Sequence, residues 1–428
     1  MNQTDPKQIE VYFDKLWPIC RSITGNGLRE SFKILSEIIP LKLTEVPTGK
    51  AVFDWVIPKE WNIHDAYIVL PDGKKICDFK VNNLHVVNYS TPVNQEMNYE
   101  ELVKYLYTLE RLPDAIPYIT SYYKEKWGFC LSKNEFDKLP KNGTYKVVID
   151  SELKLGSLTY GECLLKGDTT DEILFSSYLC HPSMANNELS GPLVLSFLYK
   201  LLASQPNRKY SYRFVIVPET IGTIAFLADN KDDVIQNVKA GYVLTCCGTD
   251  KPFVFKKSRR ENSLADEMAL HVLKHSGKKY SVLDFDPLGS DERQYCSPGF
   301  NLPVASLMRS KYHDYPEYHT SLDNKALISF EAMAETVQMY FSIVKAMEVN
   351  GYYKNTIQFC EPNMGKRGLY EDLSGALTMP QQLSTRMRLI NYMDGKTSLL
   401  EFCERYQLNI ADLRNEIDLL IQKGVLEN

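Results

Sequence analysis

Hydrophobic positions along the chain change period several times, and each change marks a boundary. In residues 1 to about 50, apolar residues recur at helical spacing in "YFDKLWPICRSI" and "LRESFKILSEII". Two helices are predicted there, with Gly25-Asn26-Gly27 as the turn between them. From about residue 51 the texture turns strand-like. "AVFDWVIP" and "DAYIVLPDGKKICDF" read as short strands, the second with Pro-Asp-Gly as a hairpin turn. This stretch also holds Trp55, Trp61 and Trp127, three of the four tryptophans, and the tyrosine-rich "IPYITSYYKEKWGFC". Aromatic clustering of this kind is read as core before binding surface, so residues 52–152 are expected to form a small inserted β-rich domain.

From about residue 153, strand and helix patterns alternate. "GSLTYGECLLKG" and "EILFSSYLC" are predicted to be paired strands, and "GPLVLSFLYKLLASQ" a helix. "YSYRFVIVP" and "AGYVLTCCG" read as buried strands, with "AFLADN" beginning a helix between them. A helix at "SLADEMALHVLKHSG", a strand at "LPVASLMRS" and a long helix at "SFEAMAETVQMYFSIVKAMEV" follow. The alternation predicts an α/β fold, a three-layer sandwich around a mostly parallel mixed sheet. At about 355–428, "MPQQLSTRMRLINYMDG", "SLLEFCERYQLNI" and "IADLRNEIDLLIQKGVLEN" have the spacing of a winged helix-turn-helix.

Charge and composition narrow the function. The 428 residues carry a net charge of −5 and 24% charged residues, which gives no electrostatic reason to expect nucleic acid or an anionic membrane. In the third C-terminal helix, Arg414 and Lys423 stand against Asp412, Glu416, Asp418 and Glu427. The expected role of this module is therefore structural, protein docking or homo-oligomerisation, and not DNA binding. No run approaches the roughly 18 apolar residues that would cross a bilayer. The start lacks a basic region followed by an apolar one, and the ten cysteines are scattered without a CxxC. A reduced cytoplasmic protein is expected.

Candidate chemistry gathers at three strand ends. "ILFSSYLCHPSMANNELSGP" delivers His181 at the end of one apolar run, "RFVIVPETIG" delivers Glu219, and "YPEYHTSLDN" supplies His319. Neutral imidazoles from different strand ends can hold one zinc or one each of a pair. A nearby glutamate can take a proton from metal-bound water and pass it to a leaving amine. His64, His85, His271 and His275 have no such setting and are read as structural.

These residues carry a resemblance. The order and spacing of "HPS", "NELSG", "ETIG", "VLTCCG" and "YHTSLD", with "GSDERQYCSPGFNLPV", are similar to the zinc aminopeptidase family that uses two co-catalytic zincs. That clan includes glutamate carboxypeptidases and glutaminyl cyclases. The resemblance covers roughly residues 1–50 and 153–350 and implies a catalytic core formed by 1–51 and 153–350. The whole chain further resembles a bacterial family of aminopeptidase-like proteins linked with polysaccharide biosynthesis, with an inserted domain and a C-terminal winged helix.

The resemblance places His181 and His319 on the family's histidine ligands and Glu219 on its general base. Asn187 stands at the bridging aspartate, Thr220 at a ligand glutamate, and Thr245 at the last ligand aspartate. Ser183 replaces the aspartate that would buttress the first histidine. Loss of three anionic ligands leaves the repulsion between two dications uncompensated, so one zinc is expected in preference to two. In the preferred reading, local acids such as Glu188, Asp291 or Glu317 join His181 and His319 around that ion, with Asn187 beside it. Tyr318, Arg293 and Glu317 are then candidates for contacting substrate. The expected activity is hydrolysis of an amide bond in a small peptide, amino-acyl or N-acyl substrate, the inserted domain narrowing the entrance. Two alternatives stay open: a pocket that binds without hydrolysing, as a scaffold in polysaccharide biosynthesis, and acid–base work without a metal.

Overall fold

Eight strands form the central sheet of the computed structural model, which describes residues 4–370 and 381–428. Met379 and Pro380, the first residues of the stretch read as the first C-terminal helix, lie outside the described residues, as do Met1–Gln3. In chain order the strands are β1 (Lys42–Pro47), β2 (Ser157–Leu165), β3 (Glu172–Tyr178), β4 (Ser211–Val217), β5 (Val238–Val243), β6 (Phe253–Lys256), β7 (Tyr280–Leu283) and β8 (Val304–Met308). Their order across the sheet is β1-β2-β4-β3-β5-β8-β6-β7. The β4-β3-β5-β8 centre is parallel, β1, β2 and β4 pair antiparallel, and β6 runs antiparallel to β8. Every residue of β3 and β4 is buried, as expected of parallel strands covered on both faces. Arg213 is tolerated within β4 because its guanidinium makes two hydrogen bonds to Glu172, at 2.6 and 2.9 Å.

The pairing of β2 differs from the sequence expectation. β2 lies between β1 and β4, not beside β3. β2 and β3 follow one another in sequence but are not paired, because β3 is flanked on both sides by β4 and β5 through parallel crossovers.

The first helix, α1 (Pro6–Leu16), stops earlier than its apolar pattern, since Pro18 has no N–H with which to continue the ladder. The second, α2 (Asn26–Leu35), begins at Gly25, which takes φ +99° and lies against the inserted segment. A Cβ at Gly25 would fall 2.1 Å from the Trp61 carbonyl oxygen. Gly25→Ala is therefore expected to destabilise the fold by at least about 2 kcal/mol, read as a lower urea midpoint. An unchanged midpoint would mean that this junction yields freely.

The inserted segment builds its own four-stranded antiparallel sheet around the long strands Glu60–Val69 and Tyr145–Lys154. Its core includes Ala66, Ile68, Phe129, Tyr145, Val147 and Ile149. It belongs with the central sheet to one compact unit, residues 1–266 and 278–338. A second unit comprises 267–277 and 339–428. It contains the helices Gln381–Tyr392, Leu399–Tyr406 and Arg414–Gln422 and a minimal two-stranded wing. In this unit Arg386 and Glu416 form a buried ion pair, and Arg414 is paired with Asp418. No described helix is long and apolar enough to cross a membrane.

Candidate active site

Strands β3 and β4 are neighbours in parallel register, Tyr178 opposite Val217, so the residues just beyond them emerge side by side. The Leu179 N–H donates to the Val217 carbonyl at 2.8 Å and extends this alignment to the strand ends. As a result His181 Nε2 and Glu219 Oε2 lie 3.6 Å apart. His181 is buried, while the Glu219 side chain keeps partial access to solvent.

The turn after His181 sets what stands on the other ring nitrogen. Residues Ala185–Leu189 form a wide helical turn, entering the helix α3 (Ser190–Ala203). Asp323 pins it, its carboxylate accepting the N–H groups of Ala185, Asn186 and Asn187 at 3.2, 2.6 and 2.9 Å. This geometry aims Glu188 inward, where its Oε2 meets His181 Nδ1 at 2.8 Å. Its other oxygen lies 3.8 Å from Arg21 Nε, and both side chains are fully buried. Burial lowers the Arg21 pKa and Glu188 pulls it back, so the buried guanidinium leans on that carboxylate for its charge.

Charge in this row follows from burial and neighbours. Burial disfavours a charged His181, but Cys180, Tyr118 and the hydrogen-bonded Glu188 more than offset it and hold the imidazolium well above its ordinary pKa. Burial pushes the Cys180 thiol up to about 11. Burial also raises Glu219, while His181 and Arg293 draw it back down. Asp291 is raised to about 7, by burial and then by Glu219.

A second row of side chains surrounds His319. Its Nε2 meets Asn187 Oδ1 at 3.0 Å, and the Asn187 amide donates to the Tyr178 hydroxyl at 2.9 Å and to Cys246 Sγ at 3.3 Å. Tyr178 in turn shares a 2.6 Å hydrogen bond with Thr245. Burial, with His181 and His313 nearby, lowers the His319 pKa well below its usual value, so the ring is neutral. Tyr318 stacks on it at 3.9 Å between ring centroids.

The inserted segment reaches into this place. The Tyr118 N–H donates to the His319 carbonyl at 2.9 Å, and Pro117 bridges to Thr320. The Tyr118 ring lies 5.1 Å from the His181 ring and 5.3 Å from the His319 ring, which are themselves 5.3 Å apart. Ser183, Thr220, Cys246 and His319 all adopt positive φ. Such strained non-glycine residues persist where the surroundings over-determine them, and they gather at functional sites.

The structure therefore brings together His181, Glu188, Glu219, Asn187 and His319, but in roles that differ from a ligand shell. Glu188 orients His181 through Nδ1. Asp291 accepts the Thr220 N–H at 2.8 Å and lies by Glu219, away from the histidine nitrogens' hydrogen bonds. Arg293 donates to Thr220 Oγ1 at 2.8 Å and to the Gly289 carbonyl at 3.0 Å. Glu317 contributes its carbonyl to Thr320. Tyr118, Tyr178 and Arg21 had no signal in the sequence beyond their burial-prone context. Asp323, visible as the end of "YHTSLD", acts on the 185–187 backbone.

These contacts test whether zinc suits the donor set. Where a two-zinc centre needs carboxylates, Asn187, Thr220 and Thr245 offer neutral groups already committed to Tyr178, His319 and Arg293. A permanent guanidinium on Thr220 further opposes a dication there. Among the described residues, two groups of three His, Cys, Asp or Glu place donor atoms within 4.8 Å of one another. One is Cys180, His181 and Glu188, where the His181 Nδ1 proton and a neutral thiol occupy the donor positions. The other, His271, His275 and Glu404, lies in the second unit. There His271 Nδ1 bonds Glu404 at 2.6 Å and its Nε2 accepts the Ile410 N–H at 3.1 Å, leaving no lone pair for an ion. The donors present do not fit the two-zinc centre.

Comparison with known proteins sets the lineage. Residues 11–350 match the model of a domain of unknown function, DUF4910, and residues 351–428 match a winged helix-turn-helix model. The chain belongs to the DUF4910 family. A Clostridium acetobutylicum relative, named a candidate polysaccharide biosynthesis protein with an aminopeptidase-like domain, is 45% identical over 98% of this chain and 96% of its own. The crystal structure of a candidate peptidase from Clostridium acetobutylicum matches with TM-score 0.92 and 43% identity, over 99% of this chain and 96% of that one. A zinc aminopeptidase from Bacillus subtilis shares the fold, with TM-score 0.58 at 12% identity over 81% of this chain and 96% of its own. This DUF4910 chain thus has the aminopeptidase-like α/β core with a C-terminal winged helix.

Proposed function

We propose that this DUF4910 chain hydrolyses an amide bond of a small peptide, amino-acyl or N-acyl substrate, with Glu219 and His181 as a metal-independent acid–base pair. The observation that carries this reading is the row Arg21, Glu188, His181, Glu219, in which a buried carboxylate fixes the tautomer and charge of the ring facing the base. Glu219 takes a proton from water as the oxygen adds to the substrate carbonyl carbon. The His181 Nε2–H donates to the oxyanion that forms. Glu219 then returns its proton to the amine nitrogen as the C–N bond breaks, leaving acid and amine. Tyr118 narrows the approach from the inserted segment, which favours small substrates. Ligation of the single zinc expected from the sequence through His319 Nε2 would break the bond from that nitrogen to Asn187, and no step here uses the ion.

The C-terminal unit is proposed as a protein-docking module. Its Arg414 and Arg386 are neutralised by Asp418 and Glu416, which supports a partner other than DNA. Mass-spectrometric screening of aminoacyl and N-acyl-sugar amides tests the hydrolytic reading. Cleavage that vanishes in Glu219→Gln is expected; cleavage that persists undiminished in that variant would overturn it.

A further inference from the structure

Beside the helix α4 (Ile221–Asp229), which starts one residue after Glu219-Thr220, lies a cavity of about 370 Å³ that the proposed chemistry does not use. One wall is a two-residue hairpin turn, Phe53-Asp54, between the paired Val52 and Trp55. Turns of this kind favour Asn, Asp or Gly at positive φ, yet here Phe53 takes φ +54° and is 54% exposed. Trp55 is 38% exposed, with Tyr123 packed edge-on at 5.5 Å, and Phe300 meets Phe53 at 5.9 Å. Large aromatic rings held out to solvent around a concavity are unusual for a core remnant, and they mark contact sites.

The polar lining says which ligand suits it. Asp54, Lys231, Gln294 and Ser297 all face this cavity, and none of these side chains hydrogen-bonds to another group among the described residues. A purely apolar guest would desolvate them without replacement, at a penalty for each. One carboxylate and one ammonium leave no net charge, which disfavours a phosphate or an acidic peptide. An uncharged ring bearing several hydroxyls, with polarised C–H groups on one face, matches both features: its C–H face lies on an aromatic ring, whose face is electronegative.

We infer that the Phe53–Trp55 hairpin, with Gln294 and Lys231, forms a pyranose-binding subsite along α4, the helix that follows Glu219 in the chain. Gln294 follows Arg293, which holds Thr220 at the head of α4, so the subsite and the reacting groups share their supports. The sugar is the distal part of the substrate, a statement that rests on the hydrolytic reading; the binding itself does not.

Saturation-transfer NMR on the full chain tests it, using N-acetylglucosamine and glucose, with AMP and leucyl-leucine as the competing classes, each at about 10 mM to detect millimolar affinity. Saturation of sugar C–H protons is expected in the parent and in Glu219→Gln, and a loss of at least about fivefold in Trp55→Ala. Asp54→Asn, a surface change, is expected to weaken it too and guards against a folding artefact. No sugar response, a response unchanged in Trp55→Ala, or a response to AMP or the dipeptide alone overturns the inference. Sugar binding without any cleavage of sugar amides would instead leave the subsite standing and count against hydrolysis.

Discussion

Glu219→Gln lowers kcat by about 10²–10⁴-fold with little change in stability, the range for removing a general base. The substitution keeps the shape of the side chain and its partial exposure while removing the proton acceptor. Because His181 is charged through Glu188 and not through Glu219 alone, the imidazolium persists in the variant and substrate binding is retained. KM therefore changes little, and the loss falls on kcat. Stopped-flow or endpoint kinetics on any amide identified by the screen measures this directly. A drop confined to KM would mean that Glu219 binds substrate and does no proton transfer.

Glu188→Gln has the second large effect, and it acts on both stability and rate. Removing this carboxylate leaves Arg21 fully buried without its counter-charge, which is expected to destabilise the fold by about 3–5 kcal/mol. It also frees the His181 tautomer, as loss of the orienting acid does in serine-protease triads, where an Asp-to-Asn change costs about 10⁴ in kcat. The double variant Glu188→Gln with Arg21→Met removes the uncompensated charge. It is expected to recover much of the stability and none of the activity, because the ring still lacks its anionic partner. Urea unfolding separates the first effect, and kinetics the second. Equal stability of the parent and Glu188→Gln would show that Arg21 and Glu188 do not depend on each other.

Much of the fold is legible in the sequence because it rests on local pattern. The apolar runs before His181 and Glu219 are long and bounded by turn residues, so both strand ends are visible in the sequence alone. The Pro71-Asp72-Gly73 turn between Val69 and Lys75 is likewise a local signal. The order of strands is not local. β2 joins β1 across more than a hundred positions of chain, Glu162 opposite Lys42, and nothing in its own residues announces that choice.

The candidate site divides in the same way. His181, Glu219 and His319 follow from strand-end position and motif order. The role of Glu188 does not, because it depends on Asp323, 136 residues downstream of Asn187, holding the intervening turn. Tyr118 is hidden for a related reason: it lies in a tyrosine-rich stretch that reads as core, and its ring does pack, but against two histidines of a different segment. The three tryptophans of the inserted segment show both outcomes. Trp61 is buried and Trp127 stacks on Tyr105, as core residues do, whereas Trp55 stands at the rim of a cavity.

Asn187, Thr220 and Thr245 carry the central claim, that a zinc-aminopeptidase fold here works through an oriented imidazolium and a glutamate. Their neutral side chains are satisfied by Tyr178, His319 and Arg293. Metal analysis of the purified chain after incubation with excess zinc and gel filtration tests this most directly, with the His181→Ala, His319→Ala double variant alongside. Zinc well below one ion per chain in the parent, equal to that in the double variant, is the result predicted. One zinc per chain in the parent that the double variant fails to retain would contradict it.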